Sequence, residues 1–213
     1  MVARAGYGNL ASLLVLPRVP VCLRPLRPPV THRHSTSVPP PSRSIEQLSS
    51  ALQHSAPSDR AALLQERALV HLTYARFDEA LADLAQAELE PEFVASSSHA
   101  FHRGYALRSL GRHHESIAAM TRAIELDPSN LNARSSRASS HFALQLFEAA
   151  IDDYSSAIEL ATAALPDLAS TAATLYNNRG LARAYAAHAL SSTLADFSDG
   201  IRLAPTNASF LNN

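Results

Sequence analysis

Four times in 213 residues the chain repeats one two-part phrase. The first part is an arginine followed by a small residue: Arg67-Ala68, Arg103-Gly104, Arg137-Ala138 and Arg179-Gly180. The second sets larger residues between small ones at helical spacing: Ala80-Leu81-x-x-Leu84-x-x-Ala87, Ser116-Ile117-x-x-Met120-x-x-Ala123, Ala150-Ile151-x-x-Tyr154-x-x-Ala157 and Thr193-Leu194-x-x-Phe197-x-x-Gly200. The arginines stand 36, 34 and 42 residues apart. A period near 34 residues built from two helical phrases restricts the chain to stacked helical hairpins. One hairpin cannot bury its apolar face alone, so its neighbours must cover it. The spacing therefore predicts an all-α chain, an α-solenoid of about four stacked antiparallel helix pairs, over residues 44–207.

Turn chemistry places the breaks. Ser44 and Gln47 have capping-box spacing, and Ile45, Leu48 and Leu52 share one helical face, so a single helix to about His54 opens the array as a half-repeat. Four pairs follow: roughly 59–75 with 77–89, 97–110 with 113–126, 131–144 with 147–163, and 170–188 with 191–203. Gly111 separates the helices of the second pair, and Asp127-Pro128-Ser129-Asn130 stops that pair and caps the third. Residues 161–172 read as an insertion that lengthens the helices on either side.

Residues 1–43 are of another kind. They hold eight of the thirteen prolines, and residues 1–45 hold six arginines and no acid. Proline at that density forbids a regular helix. The composition fits an organelle transit peptide, a disordered tail or a misassigned gene start. Residues 46–213 carry twelve arginines against nineteen acids, which argues against nucleic-acid binding. Cys22 is the one cysteine, so no internal disulfide and no cysteine-based zinc site can form. The longest apolar stretch, Leu10 to Leu16, is too short to span a bilayer. The compartment expected is intracellular, cytoplasmic first, with mitochondrial or plastid targeting as the alternative.

The phrase resembles the tetratricopeptide repeat over about 61–207. The clearest unit runs from Ala100 to Asn130: Phe101-x-x-Gly104-x-x-Leu107-x-x-Leu110-Gly111, then Ser116-Ile117-x-x-Met120-x-x-Ala123-Ile124-Glu125-Leu126-Asp127-Pro128. The resemblance implies that the first helices line a concave groove holding a peptide segment of another protein. Carried over by position, the groove is formed by Phe101, His102, Tyr105 and Arg108, by Asn132, Ser135, Ser136 and Ser139, and by Asn177, Asn178 and Tyr185, with Gln65, Glu66 and Leu69 from the first unit. Asparagine amides can hold a peptide backbone through donor and acceptor alike, and the aromatics supply anchor area. Some members of the family grip an acidic tail with a lysine-based clamp; this chain has no lysine.

The repeated arginines admit two readings. They form a row of anion-binding groups, or each pairs with an aspartate of its own hairpin. Asp83, Asp153 and Asp196 follow their arginines by 16 or 17 residues on the facing helix, and Ala119 breaks the pattern in the second unit. The second reading is preferred, because carboxylate pairing is the common use of partly buried arginine. No phosphate loop, nucleophile elbow or HExxH motif is present. His99 and His102 sit one turn apart, but no third metal ligand joins them. No enzyme activity, cofactor or metal is expected.

Two functions from different classes follow. One is a scaffold, adaptor or co-chaperone. The other is a regulatory piece of a larger enzyme with a catalytic domain beyond residue 213. Residues 208–213 open a further helix and stop mid-phrase, so a longer protein or end-to-end self-association through the fourth unit is expected.

Overall fold

The computed structural model describes residues 44–164, 167–187 and 190–205. The predicted leader, 1–43, and the further helix expected at 208–213 lie outside these. Among the described residues there are nine helices and no strand. They are α1 (Ile45–His54), α2 (Pro57–Thr73), α3 (Phe77–Glu88), α4 (Ser97–Ser109), α5 (His113–Leu126), α6 (Leu131–Ala143), α7 (Phe147–Ala163), α8 (Ala169–Tyr185) and α9 (Leu190–Leu203). The pairs α2–α3, α4–α5, α6–α7 and α8–α9 are the four predicted hairpins, and α1 packs on α2 as the expected half-repeat.

Local chemistry sets the helix starts. Ser44 and Gln47 form the capping box, with Gln47 N–H donating to Ser44 Oγ at 3.2 Å and Ser44 N–H to Gln47 Oε1 at 2.8 Å. Ser96 caps α4 and Asn130 caps α6. Asn130 also donates to Ser97 Oγ, which donates to the Ala123 carbonyl, tying the third unit's start to the second unit's end. The predicted insertion appears as length: α7 and α8 have 17 residues each, against 14 and 13 in α5 and α6.

Among the described residues each hairpin turn holds a left-handed residue, Ala75, Gly111, Gln145 and Ala187, with φ between 56° and 75°. Only the second unit spends a glycine on that conformation, where a Cβ is penalised.

The seam between paired helices is the predicted row of small residues. Ala68, Ala80, Ala87, Ala123, Ala138, Ala150 and Ala157 are all buried. The glycines admit larger partners. A Cβ at Gly104 would lie 2.9 Å from Met120 Cε, and one at Gly180 would lie 2.7 Å from Phe197 Cε1. Between neighbouring units the first helices approach one another, α2 to α4 and α4 to α6, more closely than the second helices do. Over the first three units the stack therefore curves with its first helices on the inside. On the fourth unit's outer face Leu194 and Ile201 are exposed.

Candidate binding groove

The inner face of α4 carries a continuous row. Phe101 and Tyr105 lie one turn apart with ring centroids separated by 6.3 Å, and Tyr105 meets Phe77 edge-on at 6.2 Å. The Arg108 guanidinium lies 5.4 Å from the Tyr105 ring centroid, within cation–π range. Its Nε is buried without an acceptor. His102 packs 5.7 Å from Phe101, and burial, helped by the neighbouring His99, pushes its imidazole down to about 4. It is therefore neutral at pH 7 and adds no charge to the row.

α6 continues the surface with hydroxyls. Asn132 is exposed; Ser135, Ser136 and Ser139 are half-buried. Ser139 Oγ lies 3.1 Å from Tyr154 Oη, whose phenol is pushed up to about 12, chiefly by burial. In α8, Asn178 is half-buried, whereas Asn177 is only 8 % exposed and has a partner within the fold. Adjacent helical residues point about 100° apart, and Asn177 turns toward the packed side, its backbone N 3.8 Å from where a Gly200 Cβ would sit. Tyr185 is half exposed and stacks on Phe147 at 5.6 Å, beside Phe142. Gln65, Glu66 and Leu69 are half-buried on α2.

The repeated arginines pair as the sequence spacing predicts in the first, third and fourth units. Arg67 holds Asp83, Arg137 holds Asp153 and Arg179 holds Asp196, each through Nε and Nη2 at 2.6–3.1 Å. The remaining nitrogen, Nη1, reaches a hydroxyl on the second helix of the preceding unit, or on α1: Ser49, Thr121 and Ser155, each at 3.0 Å. Sequence reasoning missed these hydroxyls. They share a register, five residues after Ser44, Ser116 and Ala150, so alignment of the second phrases marks them. One turn after the arginine, His71 and His141 stand 3.7 Å from the same aspartates, and Arg183 takes that place in the fourth unit at 2.8 Å.

Charge is divided between the two layers. The helices α4, α6 and α8 contain six arginines and no acid, while α5, α7 and α9 contain eight acids and two arginines. Among the described residues no three His, Cys, Asp or Glu side chains converge to hold a metal ion. No described helix is long and apolar enough to cross a membrane.

A family model for the tetratricopeptide repeat matches residues 100–130, the unit with the clearest pattern. No curated protein matches the chain in sequence. Among solved structures, YrrB, described as a TPR protein with an unusual peptide-binding site, superposes with a TM-score of 0.66 at 17% identity, over 79% of this chain and 80% of that one. MamA superposes with a TM-score of 0.66 at 15% identity, over 78% of this chain and 89% of that one. A fragment of MamA from Desulfovibrio magneticus RS-1 gives 0.62 at 18% identity, over 73% and 81%. At these identities the likeness is one of fold: the chain has the fold of tetratricopeptide-repeat proteins and carries one matched repeat, at residues 100–130.

Proposed function

We propose that the chain is a protein–protein interaction module, of scaffold, adaptor or co-chaperone type. Its inner face, formed by α4 with α2, α6 and α8, holds an extended peptide segment of a partner. The row Phe101–Tyr105–Arg108 carries this reading. It offers aromatic area beside a half-buried guanidinium with no carboxylate partner among the described residues. An unsatisfied buried donor costs free energy that an acceptor on a ligand, such as a peptide carbonyl, recovers. Asn132, Ser135 and Asn178 add amides and hydroxyls along the same face. YrrB, which shares the fold, has a peptide-binding site by its description.

The test is affinity capture with the wild-type chain and with a variant carrying alanine at Phe101, Tyr105, Asn132 and Asn178, both confirmed helical by circular dichroism. The wild type is expected to retain partners that the variant loses. Recovery of the same partners at the same strength would place binding elsewhere.

A further inference from the structure

We propose that the notch beside Ala119, at the junction of the first and second units, binds a single carboxylate supplied by an acidic side chain of a partner protein, and that Arg103 grips it. This site is separate from the inner groove.

The molecule itself shows three times what this arginine position accepts. In the first, third and fourth units the edge formed by Nε and Nη2 holds an aspartate, and Nη1 holds a hydroxyl from the preceding helix. In the second unit both partners are missing, replaced by Ala119 and Ala85. Glu88, one turn beyond Ala85 on the same preceding helix, takes the hydroxyl's place, accepting from Arg103 Nη1 at 3.0 Å. No group takes the aspartate's place. The Nε and Nη2 edge of Arg103 has no acceptor among the described residues, and the side chain is 49% exposed, against 15–23% for its three counterparts.

The space the aspartate would fill is open. A cavity of about 170 Å³ is lined by Arg103, Ala119, Arg122, His99, Glu88 and Phe93. It is too small for a drug-sized ligand, which needs roughly 300 Å³ or more, but it admits one carboxylate side chain. His99 is buried there with its Nδ1 unpartnered and its Nε2 3.0 Å from Glu88, and Glu88 engages Arg103 through Nη1 alone, leaving the Nε and Nη2 edge free. A carboxylate on the free edge would form the bidentate, charge-assisted pair seen in the other units. Outside the cavity, Leu89 and Val94 follow the lining residues Glu88 and Phe93 in sequence and are 77% and 78% exposed. A small free acid would leave these uncovered, whereas a peptide bearing the acid would cover them, which assigns the carboxylate to a partner's Asp or Glu.

The experiment follows the arginine Nε–Hε resonances of the ¹⁵N-labelled full chain during titration with propionate and with the tripeptide acetyl-Leu-Glu-Leu-amide. Propionamide and the Gln tripeptide serve as neutral controls. The Arg103 resonance is expected to shift saturably with both acids and with neither control, while those of Arg67, Arg137 and Arg179 stay in place. The tripeptide should bind at least tenfold more tightly than propionate. Ala119→Asp should fill the notch, move the Arg103 resonance toward those of the other three, and abolish binding. Should that variant fail to fold, Arg103→Lys, which keeps the charge without the fork, must weaken tripeptide binding at least tenfold, followed at the Ala119 amide. A static Arg103 resonance, or four arginines shifting alike, would overturn the site. Equal affinity for propionate and tripeptide would overturn its assignment to a partner side chain. Loss of this binding with groove capture intact leaves the groove reading standing, and the reverse leaves this one.

Discussion

The second and third units are built on the same seam but treat their arginines differently. Arg137 has Nε and Nη2 on Asp153 and Nη1 on Thr121. Arg103 has Nη1 alone engaged, on Glu88. Yet α4 and α6 are both 13 residues long, and Gly104 and Ala138 are equally buried against Met120 and Tyr154. Closing a hairpin therefore does not depend on the ion pair. Small residues let the helices approach, and the large residue opposite fills the gap. The arginine's distinct contribution is to join three helices, two from its own unit and one from the unit before.

The comparison breaks most visibly at the carboxylates. Asp153→Ala leaves Arg137 partly buried and uncompensated, at an expected cost of about 3 kcal/mol. Glu88→Ala frees the half-exposed Arg103 but also takes from the buried His99 ring its one hydrogen-bond partner among the described residues, so it should cost less, about 1–2 kcal/mol. Urea midpoints of the two variants decide it; equal losses would mean that the two arginines are held alike. Next come the seam glycines. Gly180→Ala drives a methyl into the Phe197 ring and should cost ~1–3 kcal/mol. Gly104→Ala meets the flexible Met120 side chain, so the ~1 kcal/mol gain in helix propensity should offset most of the crowding.

The hairpin turns give a smaller effect of opposite signs. Gly111→Ala should cost ~1 kcal/mol, while Ala75→Gly or Gln145→Gly should gain up to the same amount, because each of these positions is left-handed. Thermal melts of the three variants test whether the turns are equivalent.

The smallest effect is on pH. His102 titrates at about 4 in the fold and at its ordinary 6.5 when unfolded, so the unfolded chain binds the proton first. Its stabilising contribution is complete above the unfolded value and falls as pH drops toward 4. Between pH 7 and pH 6 the loss should stay under ~1 kcal/mol. In the third unit burial likewise lowers His141, but Asp153 pulls it back up. His102→Gln should therefore flatten the pH dependence of stability more than His141→Gln. Equal flattening would contradict the difference in burial.

Much of this was legible in the sequence because it is local or periodic. The hairpins fall within a few residues of the predicted bounds, since proline, glycine and capping residues act over single turns. The Arg–Asp pairs were legible because their spacing of 16 or 17 residues is fixed by the hairpin itself. The hydroxyl partners were not. They lie 18, 16 and 24 residues before their arginines, and that interval includes the variable loop between units. Asn177 was assigned to the groove by repeat register, which ignores how α8 packs against α9. The left-handed turns at Ala75 and Gln145 carry no glycine to announce them.

The missing hydroxyl and aspartate of the second unit also bear on how the array comes apart. In a linear stack, cooperativity is the sum of nearest-neighbour couplings, and a weak coupling divides the chain into blocks that open separately. Arginine links join α1 to α2, α5 to α6 and α7 to α8, but between α3 and α4 the polar tie is the partly exposed Glu88. Amide protons of α1, α2 and α3 should therefore exchange as one group, faster than those of α6 and α7 and at a rate set by that single boundary. Unfolding would then begin at an internal joint and release three helices together, instead of unravelling turn by turn from an end.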